Sequence, residues 1–140
     1  MSCWTHVAGV MRIDSLRLDE LEGSDNSVDF DKLIGKECLF DDDDSVWKEQ
    51  EEHPENFLPM GSEGSLRKSV WINPDPSHVA AYTVSIFGDL RDHYSAQSII
   101  DWFKKKCDQF WIRQAVITAY SIDGVLTYRY EENKEESKDD

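Results

Sequence analysis

The run Asp41-Asp42-Asp43-Asp44, followed by Trp47, Glu49, Glu51, Glu52 and Glu55, places eight carboxylates within fifteen residues. Carboxylates at that density can bind a divalent cation, or they can meet the basic surface of another protein. Asp41, Asp43, Ser45, Trp47, Glu49 and Glu52 even fall at the ligand spacing of an EF-hand loop. The sixth position of such a loop has to be glycine for the turn, and here it is Val46. The eighth, normally apolar, is Lys48, and no helical pattern precedes the run. A specific calcium site is therefore not expected, and the segment reads as a protein-binding surface anchored by Trp47.

The second place where chemistry could assemble is Gly88-Asp89-Leu90-Arg91-Asp92-His93-Tyr94. It reads as a loop between a strand and a helix start, a position that often carries function. Asp89 or Asp92 could orient His93, and Arg91 could hold an anion. A His–Asp pair with no nucleophile or second base beside it has little catalytic content. The same residues also suit a salt-bridged helix start capped by Asp92 or Ser95. A small enzyme or ligand-binding domain using Asp89, Arg91, Asp92 and His93 thus remains an alternative reading, and the sequence leans away from an enzyme without deciding it.

Other sites fail on residue type. Cys3 and His6 could supply two zinc ligands, but four are needed, and Cys38, Cys107 and His93 show no pairing that completes them. Gly61-Ser62-Glu63-Gly64-Ser65 lacks the Gly-Lys-Ser/Thr ending of a phosphate loop. There is no Gly-x-Ser-x-Gly elbow and no His-Glu-x-x-His helix. Neither a metal nor another cofactor is expected. Cys107 falls in an apolar helical stripe, where packing is the simpler use of a thiol.

The elements that must position these residues follow from periodicity. Thr5 to Leu16 reads as a strand, with Val7, Gly9, Met11 and Ile13 on one face and His6, Ala8, Val10 and Arg12 on the other. Gly9 suggests a bulge or a close crossing. A short helix capped by Ser27 is expected through Ile34, and a second from about Ser45 to His53, stopped by Pro54. Residues 54–65 read as a connection. Leu66–Asn73 and Val79–Phe87 form a hairpin across Pro74-Asp75-Pro76-Ser77. Ser95 caps an amphipathic helix bearing Ala96, Ile99, Ile100, Phe103, Cys107 and Phe110. A strand through Ala115, Ile117 and Ala119 follows, and Asp123-Gly124 turns the chain into a last strand ending at Tyr130. The expected fold class is α+β: a ferredoxin-like split βαβ domain with an extra C-terminal strand and an elaborated acidic segment after the first strand.

The chain has 140 residues and a formal net charge of −14, enough for one domain with a sizeable core. The charge is uneven. Residues 19–63 carry −13 and residues 131–140 carry −4, whereas residues 1–18 and 64–130 are slightly positive. The expected organisation is one α+β domain over 1–130, with an acidic insert-like segment at 19–63 and a disordered acidic tail at 131–140. Such acidity disfavours direct binding to nucleic acid or anionic membranes. The expected partner is a basic protein, including one that itself binds nucleic acid. Carboxylates there would mimic phosphates, with Asp41, Asp42, Asp43, Asp44, Trp47, Glu49, Glu51, Glu52 and Glu55 as the contact set. A structural homo-oligomer whose acidity serves solubility is the other alternative. Trp4, Trp47, Trp71, Trp102 and Trp111 supply aromatic anchors, and a homodimer through a sheet edge or the Trp102 side of the helix would be an ordinary outcome. Three widely spaced cysteines, no secretory leader pattern and no long apolar run point to reduced thiols in a cytoplasmic protein, with one disulfide as the alternative.

The stretches Cys3-Trp4-Thr5-His6-Val7-Ala8-Gly9-Val10 and Thr83-Val84-Ser85-Ile86-Phe87-Gly88-Asp89-Leu90-Arg91-Asp92 resemble those of small acidic proteins carried by bacteriophages and mobile elements. The resemblance implies a bacterial setting and the inhibition of a host defence or DNA-handling protein. It transfers no functional residue.

Overall fold

A computed structural model describes residues 3–16, 29–38, 44–75, 80–92, 95–122 and 124–130. Strand β1 (Trp4–Leu16) leads to a one-turn helix α1 (Phe30–Leu33) and to helix α2 (Asp44–Glu52), after which Pro54–Asn56 form a 3-10 turn. Then come β2 (Arg67–Ile72), β3 (Tyr82–Arg91), helix α3 (Ala96–Cys107), β4 (Phe110–Ser121) and β5 (Gly124–Tyr130). The five strands form one sheet in the order β2-β3-β1-β4-β5, and every neighbouring pair is antiparallel. The chain is thus an α+β domain with β1 at the centre of its sheet.

The alternation read from the sequence decides which face is covered. Val7, Met11 and Ile13 of β1 are buried, as are Val84, Ile86 and Leu90 of β3 and Ile112, Ala115, Ile117 and Ala119 of β4. Against this face pack Ile99, Ile100, Phe103 and Cys107 of α3, with Phe30, Ile34, Leu58 and Leu66 from the first crossover. Each fully buried Ile or Phe removes apolar surface worth about 1.5–3 kcal/mol. Gly9 sits within this sheet because a Cβ there would press on the Ile117 side chain and the Val116 carbonyl, both 2.9 Å away. It marks a close crossing; the register shifts of β1 lie further on, between Arg12 and Ser15.

Three expectations change in detail. Asp29, rather than Ser27, caps α1 by accepting from the Lys32 amide at 3.2 Å; Ser27 lies outside the described residues. Helix α3 ends at Cys107, so Phe110 is a strand residue. Phe110 is nevertheless buried, because the turn at Asp108 and Gln109 brings β4 back under the helix. Strand β3 continues through Gly88 to Arg91, so Asp89 and Arg91 belong to a ladder with β1 and not to a loop. Pairing over ten residues with the central strand outweighs the low strand propensity of Gly88.

Candidate functional site

Helix α2 carries most of the described part of residues 41–55. Its three- and four-residue spacing turns Val46, Trp47 and Gln50 toward the body and leaves Ser45, Lys48, Glu49, Glu51 and Glu52 exposed, with Glu55 exposed just beyond. Pro54 ends the helix, and Lys36 ties it down. The Lys36 ammonium lies 3.8 Å from Glu49 and 5.2 Å from the centre of the Phe57 ring, and Lys36 also forms a backbone bridge to Phe57. Lys48 reaches Glu52 at 3.9 Å, and His53 reaches Glu55 at 3.4 Å. These are solvated pairs worth a few tenths of a kcal/mol up to about 1, too weak to be the reason for the carboxylates. Glu51 has no ion-pair partner among the described residues. Asp44 opens the helix, while Asp41, Asp42 and Asp43 lie outside the described residues. Because residues 44–52 are one continuous helix, Ser45, Trp47, Glu49 and Glu52 cannot be laid out as the loop ligands of an EF-hand.

The Asp89–Asp92 stretch is divided between two places. Asp89 projects from β3 beside His6 of β1, its register partner, and its carboxylate lies 2.6 Å from His6 Nδ1. The His6 ring leans on Tyr120, with centroids 6.1 Å apart. Asp92 turns the other way. It occupies the left-handed region at φ 55°, accepts from the Cys3 amide at 3.2 Å, and accepts from the Ser62 hydroxyl at 3.2 Å. The Cys3 amide above all, with Ser62 and Arg91, holds the Asp92 carboxyl below the usual range. Arg91 bonds Glu63, and its backbone joins the 61–64 turn, in which the Ser62 amide donates to the Arg91 carbonyl at 2.8 Å. Gly64, at φ 83°, lies so close to the Asp89 carbonyl that a Cβ could not be accommodated. The glycines of Gly61-Ser62-Glu63-Gly64 therefore serve a backbone crossing. His93 lies outside the described residues; among the others, Asp89, Arg91 and Asp92 are engaged with His6, Glu63 and Cys3.

A third feature was within reach of the sequence but not singled out there. The sheet face opposite α1 and α3 leaves Trp4, Trp71, Phe87, Trp111, Val116 and Tyr120 exposed, between 37% and 56%. The same face bears Arg12, Arg67 and Arg129 at register positions alternating with the core. Trp71 lies on the edge strand β2, and Trp102 packs partly buried against the core. The signal was the set His6, Ala8, Val10 and Arg12 on β1, read only as the strand's other side.

No protein-family model, no curated protein and no solved structure matches the chain. Among the described residues, no group of three or more His, Cys, Asp or Glu could hold a metal ion, and no helix is long and apolar enough to cross a membrane.

Proposed function

We propose that the chain is an acidic protein–protein interaction module that docks residues 41–55 against the basic surface of a partner. The observation that carries this reading is the exposed row Glu49, Glu51, Glu52 and Glu55 on and beyond α2, within a segment of charge −13 attached to a slightly positive body. A helix advances about 1.5 Å per residue, and duplex DNA carries about one charge per 1.7 Å of axis. Asp44, Glu49, Glu51 and Glu52 on the nine residues of α2 give about one carboxylate per 3.4 Å, the phosphate spacing along one strand of the duplex. In its sharpest form the chain is a phage-type inhibitor that occupies the nucleic-acid surface of a bacterial host protein. The resemblance of Cys3–Val10 and Thr83–Asp92 to phage proteins supports that setting, and the reduced thiols suit the cytoplasm. Trp47, half-buried one turn before Glu51, would add aromatic contact area beside the carboxylates.

The scaffold reading is a ferredoxin-like domain. The sheet order β2-β3-β1-β4, antiparallel throughout with β5 appended, supports it. On that scaffold the acidic segment elaborates the connection between β1 and β2. The test is capture of partners from a bacterial lysate by the full chain and by a Glu49→Gln, Glu51→Gln, Glu52→Gln, Glu55→Gln variant. Basic proteins retained by the first and lost by the second support the proposal; identical captures overturn it.

A further inference from the structure

The sheet order leaves two strands with a neighbour on one side only, β2 and β5. An edge strand offers its unpaired N–H and C=O groups to any strand that meets it, and proteins usually block such an edge with charge or cover. β2 is blocked in this way. Its Lys68 side chain is only 12% exposed, pairs with Asp31 and donates to the Gly35 carbonyl at 2.9 Å. Arg67 beside it donates to Glu37 at 3.1 Å, so both basic residues hold the 31–37 segment against this strand. β5 carries no such device. Gly124–Tyr130 reads Gly-Val-Leu-Thr-Tyr-Arg-Tyr, rich in strand formers, without proline and with Arg129 as its one charge. Among the described residues β4 is its only strand partner.

The geometry of β5 says what fits its free side. Ser121 and Gly124 close a hairpin around two residues, and such a closing pair exchanges both backbone hydrogen bonds. Alternation from there bonds Leu126, Tyr128 and Tyr130 to β4 and turns the N–H and C=O of Val125, Thr127 and Arg129 outward. The Thr118 and Thr127 hydroxyls, 3.2 Å apart, fit this alternation, because side chains approach most closely in the non-hydrogen-bonded pairs. A second β5, laid antiparallel about a two-fold axis at Thr127, pairs all seven residues and sets outward groups against outward groups. An axis one residue away leaves two residues of each strand unpaired, and one half a residue away opposes outward groups to inward ones. In the full register Val125 faces the second copy's Arg129, Leu126 faces its Tyr128, and Thr127 faces its own equivalent. Val125 and Leu126, 53% and 39% exposed on opposite faces of the strand, thereby gain the arginine stem and the tyrosine ring. Tyr128 is already placed by the Phe103 ring at 6.3 Å and the Lys104 ammonium at 4.9 Å, so little side-chain freedom is lost.

We propose that β5 pairs with β5 of a second copy in this register, giving a two-fold dimer with one continuous ten-stranded sheet. Charge favours this edge, since it belongs to the slightly positive residues 64–130 of a chain of −14 and keeps residues 19–63 out of the strand pairing. Seven residues give about 24 Å of edge, and strand plus helix layer are about 20 Å deep, so each copy buries on the order of 500 Å². The total, about 1,000 Å², is at the low end for specific complexes and corresponds to a weak, concentration-dependent dimer. This inference does not depend on the partner of α2.

The test is sedimentation equilibrium of the full chain from about 10 μM to about 1 mM, where a weak interface of this size should carry it from one copy to two. Thr127→Lys places like charges directly opposite each other and should weaken association about tenfold or more, as should Thr127→Glu alone. An equal mixture of the two variants should recover it, because each lysine then meets a glutamate. In the unaltered chain the amides of Val125, Thr127 and Arg129 should gain protection from hydrogen exchange as concentration rises, while those of Leu126 and Tyr128 are protected throughout. Raising salt from about 0.05 to about 0.5 M should tighten the dimer several-fold by screening the two acidic copies, the reverse of its effect on capture through α2. A chain still monomeric at about 1 mM, association indifferent to Thr127→Lys, or no recovery in the mixture would overturn the proposal. Association that weakens with salt would overturn it too, placing the contact on charge. A monomeric chain from which Thr127→Lys releases a captured lysate protein would likewise overturn it, assigning the edge to another protein's strand.

Discussion

Burial sets the reactivity of the cysteines. Cys107 lies wholly inside the α3 interface, where burial above all, with Asp108 adding to it, pushes its thiol from 9.0 up to about 12. Cys38 is raised in the same direction by burial. Brief iodoacetamide treatment of the folded protein should therefore modify Cys3, which is partly exposed, and spare Cys38 and Cys107 until denaturant is added; mass spectrometry of the peptides checks this. The raised Cys107 value also has a stability consequence. The unfolded thiol ionises above 9.0 while the folded one keeps its proton, so stability is retained below that pH and falls as pH rises toward about 12. Asp92 works with the opposite sign. Its lowered value means that its contribution is present above 3.8 and is lost as pH falls through the folded value. Asp92→Asn should lower stability at neutral pH and reduce the loss of stability on acidification, as measured by urea unfolding across that range. The packing of Cys107 was legible from its place in the apolar stripe of α3, whereas the role of Asp92 was not. Asp92 looked like a partner for His93 or a helix cap, and its bond to the Cys3 amide depends on an 89-residue separation that no local pattern records.

Among the elements, those defined by local chemistry were legible and those defined by pairing were not. Ser95 before the stripe Ile99, Ile100, Phe103 and Cys107 announces α3, and its hydroxyl does accept from the Ser98 amide at 3.0 Å. Ser95→Ala should cost about 1 kcal/mol in denaturant unfolding without altering the fold. The alternation of β1 likewise sorted the covered face from the open one. The extent of β3 was hidden, because Gly88 reads as a breaker until β1 lies beside it. The start of β4 was hidden for a related reason: Phe110 continues the helical spacing of α3 and equally suits the strand that follows the Asp108–Gln109 turn. For α2, the position of the helix was legible from the Pro54 stop, and so was its exposed acidic face. Replacing Glu49, Glu51, Glu52 and Glu55 together by Gln should change unfolding free energy by no more than about 0.5 kcal/mol per site, as for solvated surface positions. Thermal unfolding checks this, and a large loss would mean that the carboxylates hold the fold instead of serving a surface.

Across the whole molecule the charge is arranged by face and by segment. A net charge of −14 is concentrated in residues 19–63 and 131–140, while the open sheet face gathers Arg12, Arg67, Arg113 and Arg129 around exposed aromatics. Segment charges could be counted along the sequence, but the grouping of arginines from β1, β2, β4 and β5 required the sheet order. Under the proposed function the acidic segment is the recognition element, since opposite charge steers encounter and selects partners, and both effects weaken with salt. The central proposal is that this segment docks on a basic protein. Its most direct test is capture from a bacterial lysate on the immobilised full chain, eluted with increasing salt and compared with the Glu49, Glu51, Glu52, Glu55 to Gln variant. The expected result is a basic protein held at about 0.1 M salt, released well before about 1 M, and absent from the variant. Capture of only non-basic partners that resist salt and bind the variant equally would contradict the account.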